Sequence, residues 1–182
     1  MRIVAGAWRG RALIAPSGSQ TRPTADRVRQ ALFDMLLHAP WGGRDMIDNA
    51  QVLDVFAGTG ALGLEALSRG AAHATFIEHD PRALAALRAN IAACRAGDRC
   101  TILPVDALAA PTGRNCDLVF LDPPYGHDLV PRALARLRAA NRIAPGALIV
   151  AETARDEAPP TELPLLAERA HGAARIAIWR EA

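Results

Sequence analysis

At 182 residues, 51% apolar and 22% charged, the chain has the size and balance of one globular domain. No run approaches the roughly 20 apolar residues of a membrane span and no apolar stretch after Arg2 has the form of a signal peptide, so a cytoplasmic protein without membrane contact is expected. Three cysteines (Cys94, Cys100, Cys116) and five scattered histidines exclude a recognisable disulfide framework or metal motif, so reduced thiols and no metal are expected.

The net charge of +2 is unevenly spread. Residues 1–29 hold six arginines against Asp26 alone, a balance of +5, and the remainder is −3; every basic residue is Arg and none is Lys. A basic arm beside a near-neutral body fits a polyanion contact, and fits equally a solvated terminus with no partner. Residues 2–5 and 11–14 read as a hairpin or short strand pair around Gly6–Gly10. Within it, Trp8 lies between arginines and serves equally as a core pin or as a stacking platform for a base. Pro16–Ser19 is a loop by composition. Thr24 reads as the N-cap of a helix with Val28, Ala31, Leu32, Met35 and Leu36 on one face, ended by Pro40 and Gly42-Gly43.

From residue 51 strand and helix patterns alternate. Strands are expected at Gln51–Phe56, Ala74–Ile77, Cys100–Leu103, Leu118–Leu121 and Ala147–Ala151, with helices at Ala61–Arg69, Pro81–Cys94 and Leu129–Ala140 between them. Ala107–Ala110 is a short crossover, and Leu165–Ala170 with Ala173–Trp179 flank His171-Gly172 as a closing antiparallel pair. The expectation is an α/β fold: a mostly parallel seven-stranded sheet with helices on both faces. Residues 1–48 would form a small hairpin-and-helix extension and residues 49–182 the main domain.

Two strand ends carry unusual loops. Asp54-Val55-Phe56-Ala57-Gly58-Thr59-Gly60 leads into Gly58-Thr59-Gly60-Ala61-Leu62-Gly63, a G-x-G-x-x-G turn between strand and helix. Nicotinamide and flavin enzymes use this pattern too, so alone it is weak. Asp54 before the turn suits a ligand with an amine and a sulfonium better than a pyrophosphate, whose charge it would repel. Glu78 ends the next strand, where a carboxylate can accept ribose hydroxyls. Asp106 ends the third, within reach of an adenine amino group. Each acid alone reads equally as a cap or a solvated carboxylate; together with the glycine turn they point to a nucleoside-bearing cofactor.

Asp122-Pro123-Pro124-Tyr125 follows the fourth strand. An exocyclic base amine is a poor nucleophile because its lone pair is delocalised into the ring, so a site that methylates it needs acceptors aimed at the amino hydrogens. Asp122 supplies a carboxylate, the Pro123 carbonyl a second acceptor in a turn stiffened by two prolines, and Tyr125 a ring for stacking an extruded base. A rigid turn with Tyr125 capping the core is the plain alternative. The amine of guanine and that of adenine are served alike.

These residues resemble class I S-adenosylmethionine-dependent methyltransferases with a Rossmann-like fold. More narrowly, the chain is similar to the bacterial small-subunit rRNA guanine-N2 methyltransferase family (RsmD type), which modifies guanine 966 of 16S rRNA. The specific part is the opening Arg2-Ile3-Val4-Ala5-Gly6 with Trp8-Arg9-Gly10-Arg11, and Arg22-Pro23-Thr24-Ala25-Asp26-Arg27 before the first helix. The resemblance implies cofactor contacts at Asp54, Phe56, Ala57, Gly58, Thr59, Gly60, Glu78, His79, Asp106, Ala107 and Asp122. It implies a catalytic loop of Asp122, Pro123, Pro124 and Tyr125, and RNA contacts at Arg2, Trp8, Arg9, Arg11, Arg22, Thr24 and Arg27. S-adenosyl-L-methionine would be the cofactor and 16S rRNA in a partly assembled 30S subunit the partner, with the chain acting as a monomer. Ala7 departs from the family, which often has a longer polar residue there; a potential RNA contact is lost and the chemistry is not.

Overall fold

Apolar runs buried on both faces dictate the sheet. In the computed structural model they form β1 (Gln51–Val55), β2 (His73–Ile77), β3 (Cys100–Leu103), β4 (Cys116–Leu121) and β5 (Ile143–Ala154), closed by β6 (Leu165–His171) and β7 (Ala174–Arg180). Residues 1–15, 23–124, 128–155, 157, 162–172 and 174–182 are described, apart from the side chains of residues 23–25 and 171. The strand order is β3-β2-β1-β4-β5-β7-β6. Pairs β1·β2, β1·β4, β2·β3 and β4·β5 are parallel, and β7 runs antiparallel to β5 and β6. The expected Rossmann-like α/β architecture is the one the chain adopts. Chain order reverses between β1 and β4, which opens a crevice at their carboxyl ends, the usual place for a ligand in such sheets.

Side-chain alternation sorts the core into two layers. Val52, Phe76, Phe120, Val150 and Ile178 face one cluster, with Leu32, Phe33 and Leu36 of α1 (Pro23–His38), Leu64 and Leu67 of α2 (Ala61–Ser68) and Leu84, Leu87 and Ile91 of α3 (Pro81–Ala93). Leu53, Val119, Ile149 and Trp179 face the other, with Val130, Ala133, Leu134 and Leu137 of α4 (Leu129–Ala139), an i, i+3, i+4, i+7 stripe. Ile3 and Leu13 of the N-terminal arm belong to the first cluster.

Several boundaries differ from expectation for local reasons. α1 begins at Pro23, so Thr24 lies inside the first turn instead of capping it; proline is well suited to that first position. β5 extends beyond Ala147–Ala151 because pairing resumes after a register shift that absorbs Pro145-Gly146, which in sequence look like an end. The arm is less regular than a strand pair. It closes with one antiparallel bridge, Arg2 to Ala12, around a 3-10 turn at Gly6–Trp8. No helix among the described residues is long and apolar enough to cross a membrane.

Candidate active site

The crevice is built from the loops after β1 and β4. Asp122 leaves β4 with its N–H directed to the Val55 carbonyl at 3.4 Å, so the Asp-Pro-Pro loop starts beside the glycine turn. That turn is tightly wound: Phe56, Gly58 and Gly60 all have positive φ (60°, 55° and 77°). For Phe56 this left-handed conformation is strained, and it is held by the Ala57 N–H on the Ile77 carbonyl at 3.0 Å. A Cβ on Gly58 would meet nothing nearer than the Phe56 carbonyl oxygen at 4.0 Å, whereas one on Gly63 would come within 2.4 Å of the Phe76 ring. The first glycine thus leaves its backbone open to a ligand, and the last lets α2 lie against β2.

Asp54 is 2% exposed and accepts the Gly63 N–H at 2.9 Å. Burial pushes its carboxyl up to about 8, reinforced by the charges of Asp122 and Glu78 and opposed by the Gly63 N–H. A buried acid without a cationic partner is held protonated; a bound cation would ionise it. The Glu78 carboxylate accepts three backbone N–H groups, from Gly58 (2.8 Å), His79 (2.7 Å) and Asp80 (2.8 Å). It therefore braces the glycine turn, with one lone-pair site left for a hydroxyl. His79 beside it is exposed, its Nδ1 3.8 Å from Glu78. Asp106 is exposed and accepts the Leu108 N–H at 2.8 Å, capping a 3-10 turn in which Ala107 is buried.

Asp122 stands in the concave crevice, reachable by water yet crowded by protein. That crowding, then the charge of Glu152, raises its carboxyl above the ordinary range. Pro123 is buried and Pro124 exposed; Tyr125 lies outside the described residues. Strand register places four acids on one sheet face at successive carboxyl ends: Glu78 after β2, Asp54 in β1, Asp122 after β4 and Glu152 in β5. The charge of Asp122 on Asp54 and of Glu152 on Asp122 follows from that row. These residues fit a donor with a sulfonium and an ammonium: Asp54 for the cationic end, the open glycine turn for its backbone, Glu78 for a ribose.

The arm residues are distributed less simply. Arg2, Arg9, Arg11 and Arg27 are exposed; the Arg11 guanidinium donates to the Ala93 carbonyl at the end of α3. Trp8 is half-buried against the core, and the Arg99 guanidinium lies over its ring, 5.0 Å from the centroid. Arg22 and the Thr24 side chain fall outside the described residues.

Sequence reasoning missed the groups that dock this arm. Glu65, fully buried on α2, accepts the Val4 and Ala5 N–H groups at 2.8 and 3.0 Å and pairs with Arg69 and Arg29. Ser68 accepts the Trp8 N–H at 3.0 Å and donates to the Ala5 carbonyl at 2.6 Å. Gly6 passes so close that a Cβ would sit 1.9 Å from the Ser68 carbonyl oxygen. Asn90, fully buried on α3, accepts the Ile14 N–H at 2.7 Å and donates to the Ile14 and Thr59 carbonyls at 2.9 and 3.0 Å. One amide thus ties the arm to the glycine turn. The available signal was polar residues at helix positions that the apolar stripe marks as inward.

The family described as conserved hypothetical protein 95 matches residues 1–180. Ribosomal RNA small subunit methyltransferase D of Escherichia coli K12 is 42% identical over 163 residues, covering 88% of this chain and 78% of that protein. The Haemophilus influenzae protein of the same name is 37% identical over 179 residues, covering 94% and 89%. The solved structure of yhhF from Escherichia coli is similar with a TM-score of 0.85 at 38% identity, covering 100% of this chain and 97% of that one.

Proposed function

This chain belongs to the conserved hypothetical protein 95 family, that of the ribosomal RNA small subunit methyltransferase D proteins, and from this premise we propose that it methylates the exocyclic N2 of one guanine in 16S rRNA. The target in that reading is guanine 966, the donor S-adenosylmethionine, and the setting a partly assembled small subunit in the cytoplasm. The observation that carries the reading is the row of carboxylates at the β1/β4 switch point, where Asp54 and Asp122 are near enough for the charge of one to raise the other.

When bound, the donor supplies a sulfonium methyl carbon that the amine's lone pair takes as the C–S bond breaks to leave a thioether. Asp54 neutralises the cationic end and the glycine turn lets its backbone approach. Asp122 and the Pro123 carbonyl accept the two amino hydrogens, which draws the lone pair out of the ring plane toward the methyl. Holding the amine in line supplies most of the gain. A carboxyl raised toward working pH is also a suitable acceptor for the proton released after transfer. The exposed arginines of the arm position phosphates, which adds affinity without sequence information. Binding should therefore weaken as salt rises, and Arg9→Ala with Arg11→Ala should flatten that slope by about 1 to 2 in log–log terms. Incubation with unmodified small-subunit particles and labelled donor, followed by nucleoside mass spectrometry, tests the reaction. N2-methylguanosine at a single position is expected; label on adenine N6, or none, overturns it.

A further inference from the structure

β4 and β5 are parallel and in register at Leu121 and Ala151, so the next positions, Asp122 and Glu152, are neighbours on one sheet face, roughly 4.8 Å apart across the strands. Phe120 and Val150, two residues earlier, both belong to the same core layer, which fixes that shared face. Glu152 is half-buried and still in strand geometry, held between β4 and its antiparallel partner Ile176. Its position is therefore set by the sheet and not by a loop.

Two adjacent carboxylates repel each other, and a ligand that donates to both relieves the repulsion. The Watson–Crick edge of guanine does this: N1–H lies beside the two N2 hydrogens, three donors in a row. Adenine offers its amine beside N1, a lone pair that would face a carboxylate unfavourably. We propose that Glu152 is the base-selecting residue of this site, accepting the guanine N1–H while Asp122 and the Pro123 carbonyl hold the N2 amine. The proposal rests on the guanine-N2 reading above and adds how guanine is told from other amine-bearing purines.

The probe is 2,6-diaminopurine, which keeps the N2 amine and replaces N1–H by a lone pair. Small-subunit RNA bearing guanine or 2,6-diaminopurine at the target position, assembled into particles, is methylated by the full chain and by Glu152→Gln. The wild-type chain should prefer guanine by about 100-fold or more in kcat/KM, because a site built to hydrogen-bond one group rejects its lack strongly. The Gln amide can donate to N1, so the variant should narrow that preference at least about tenfold, with donor affinity unchanged. The 6-amino group alone could lower transfer to the analogue; the narrowing in Glu152→Gln identifies N1 as the atom read. Equal wild-type transfer to both bases, or the same preference in the variant, overturns the role of Glu152. Failure to methylate guanine at all would instead remove the underlying reading.

Discussion

The two ends of the sheet hold similar numbers of acids and use them differently. At the amino end, a cavity of about 270 Å³ is lined by Asp45, Met46, Asp48, Asn49, Ala50, Asp117 and residues 145–147. There Asp117 accepts the Gln51 N–H at 2.8 Å and Asp48 lies 4.0 Å from Arg44, ordinary arrangements that fasten chain ends. At the carboxyl end, Asp54 is buried with no cationic partner among the described residues and pushed up to about 8, Asp122 is raised beside Glu152, and Phe56 holds a strained φ of 60°. Unfavourable charge and backbone strain concentrate where a ligand can relieve them, and perturbed acids in a cleft mark a functional site. That cavity and the perturbed acids lie at opposite ends of the strands, and the chemistry decides.

The contrast breaks first at Asp122. Asp122→Ala should lower methyl transfer by at least about 1,000-fold with donor affinity changed no more than about threefold, measured by single-turnover assay and calorimetry. Transfer at the wild-type rate would move the amine site elsewhere. Asp54 sharpens it. With the folded carboxyl raised, the folded chain holds a proton that the unfolded chain releases near pH 4, so the ligand-free protein should lose stability as pH rises from about 4 to about 8. A bound cation reverses this, and donor binding at pH 7 should release close to one proton. Asp54→Asn should abolish that release, weaken donor binding by about 100-fold, and raise the melting temperature at pH 8 but not at pH 4. Titrations in buffers of different ionisation enthalpy check the proton count; the same release from the variant would assign it to another group.

Much of this was legible in the sequence. Two-sided apolar runs such as Leu118–Leu121 and the stripe at Val130, Ala133, Leu134 and Leu137 fix elements by burial alone, and the glycine turn and Asp-Pro-Pro loop sit at strand ends where turn chemistry is local. What sequence did not disclose depends on distant segments meeting. Glu65, Ser68 and Asn90 stand at inward helix positions, but what they hold appears only when the arm folds back on them, 60 to 76 positions away. Glu152 gains meaning only from the β4·β5 register, and Pro145-Gly146 hide the true start of its strand.

Smaller effects should follow from these groups. Asn90→Ala leaves the Ile14 and Thr59 backbone groups unpaired and should destabilise the chain by about 2–3 kcal/mol in denaturant titration, with weaker donor binding than Val28→Ala, a half-buried position away from the turn. Equal donor binding in the two would uncouple the arm from the glycine turn. Least of all, Asp117→Asn at the amino end should change stability by about 1 kcal/mol or less and transfer by less than about twofold. A large loss of activity there would erase the distinction between the two ends.

The most direct test is a crystal structure with S-adenosylhomocysteine, the demethylated product of the donor. Its amino acid end should lie along Gly58–Gly60 beside Asp54, its ribose at Glu78 and its sulfur facing Asp122 across a gap the size of one amine. Product bound in the amino-end cavity, or with its sulfur turned away from Asp122, would contradict the account.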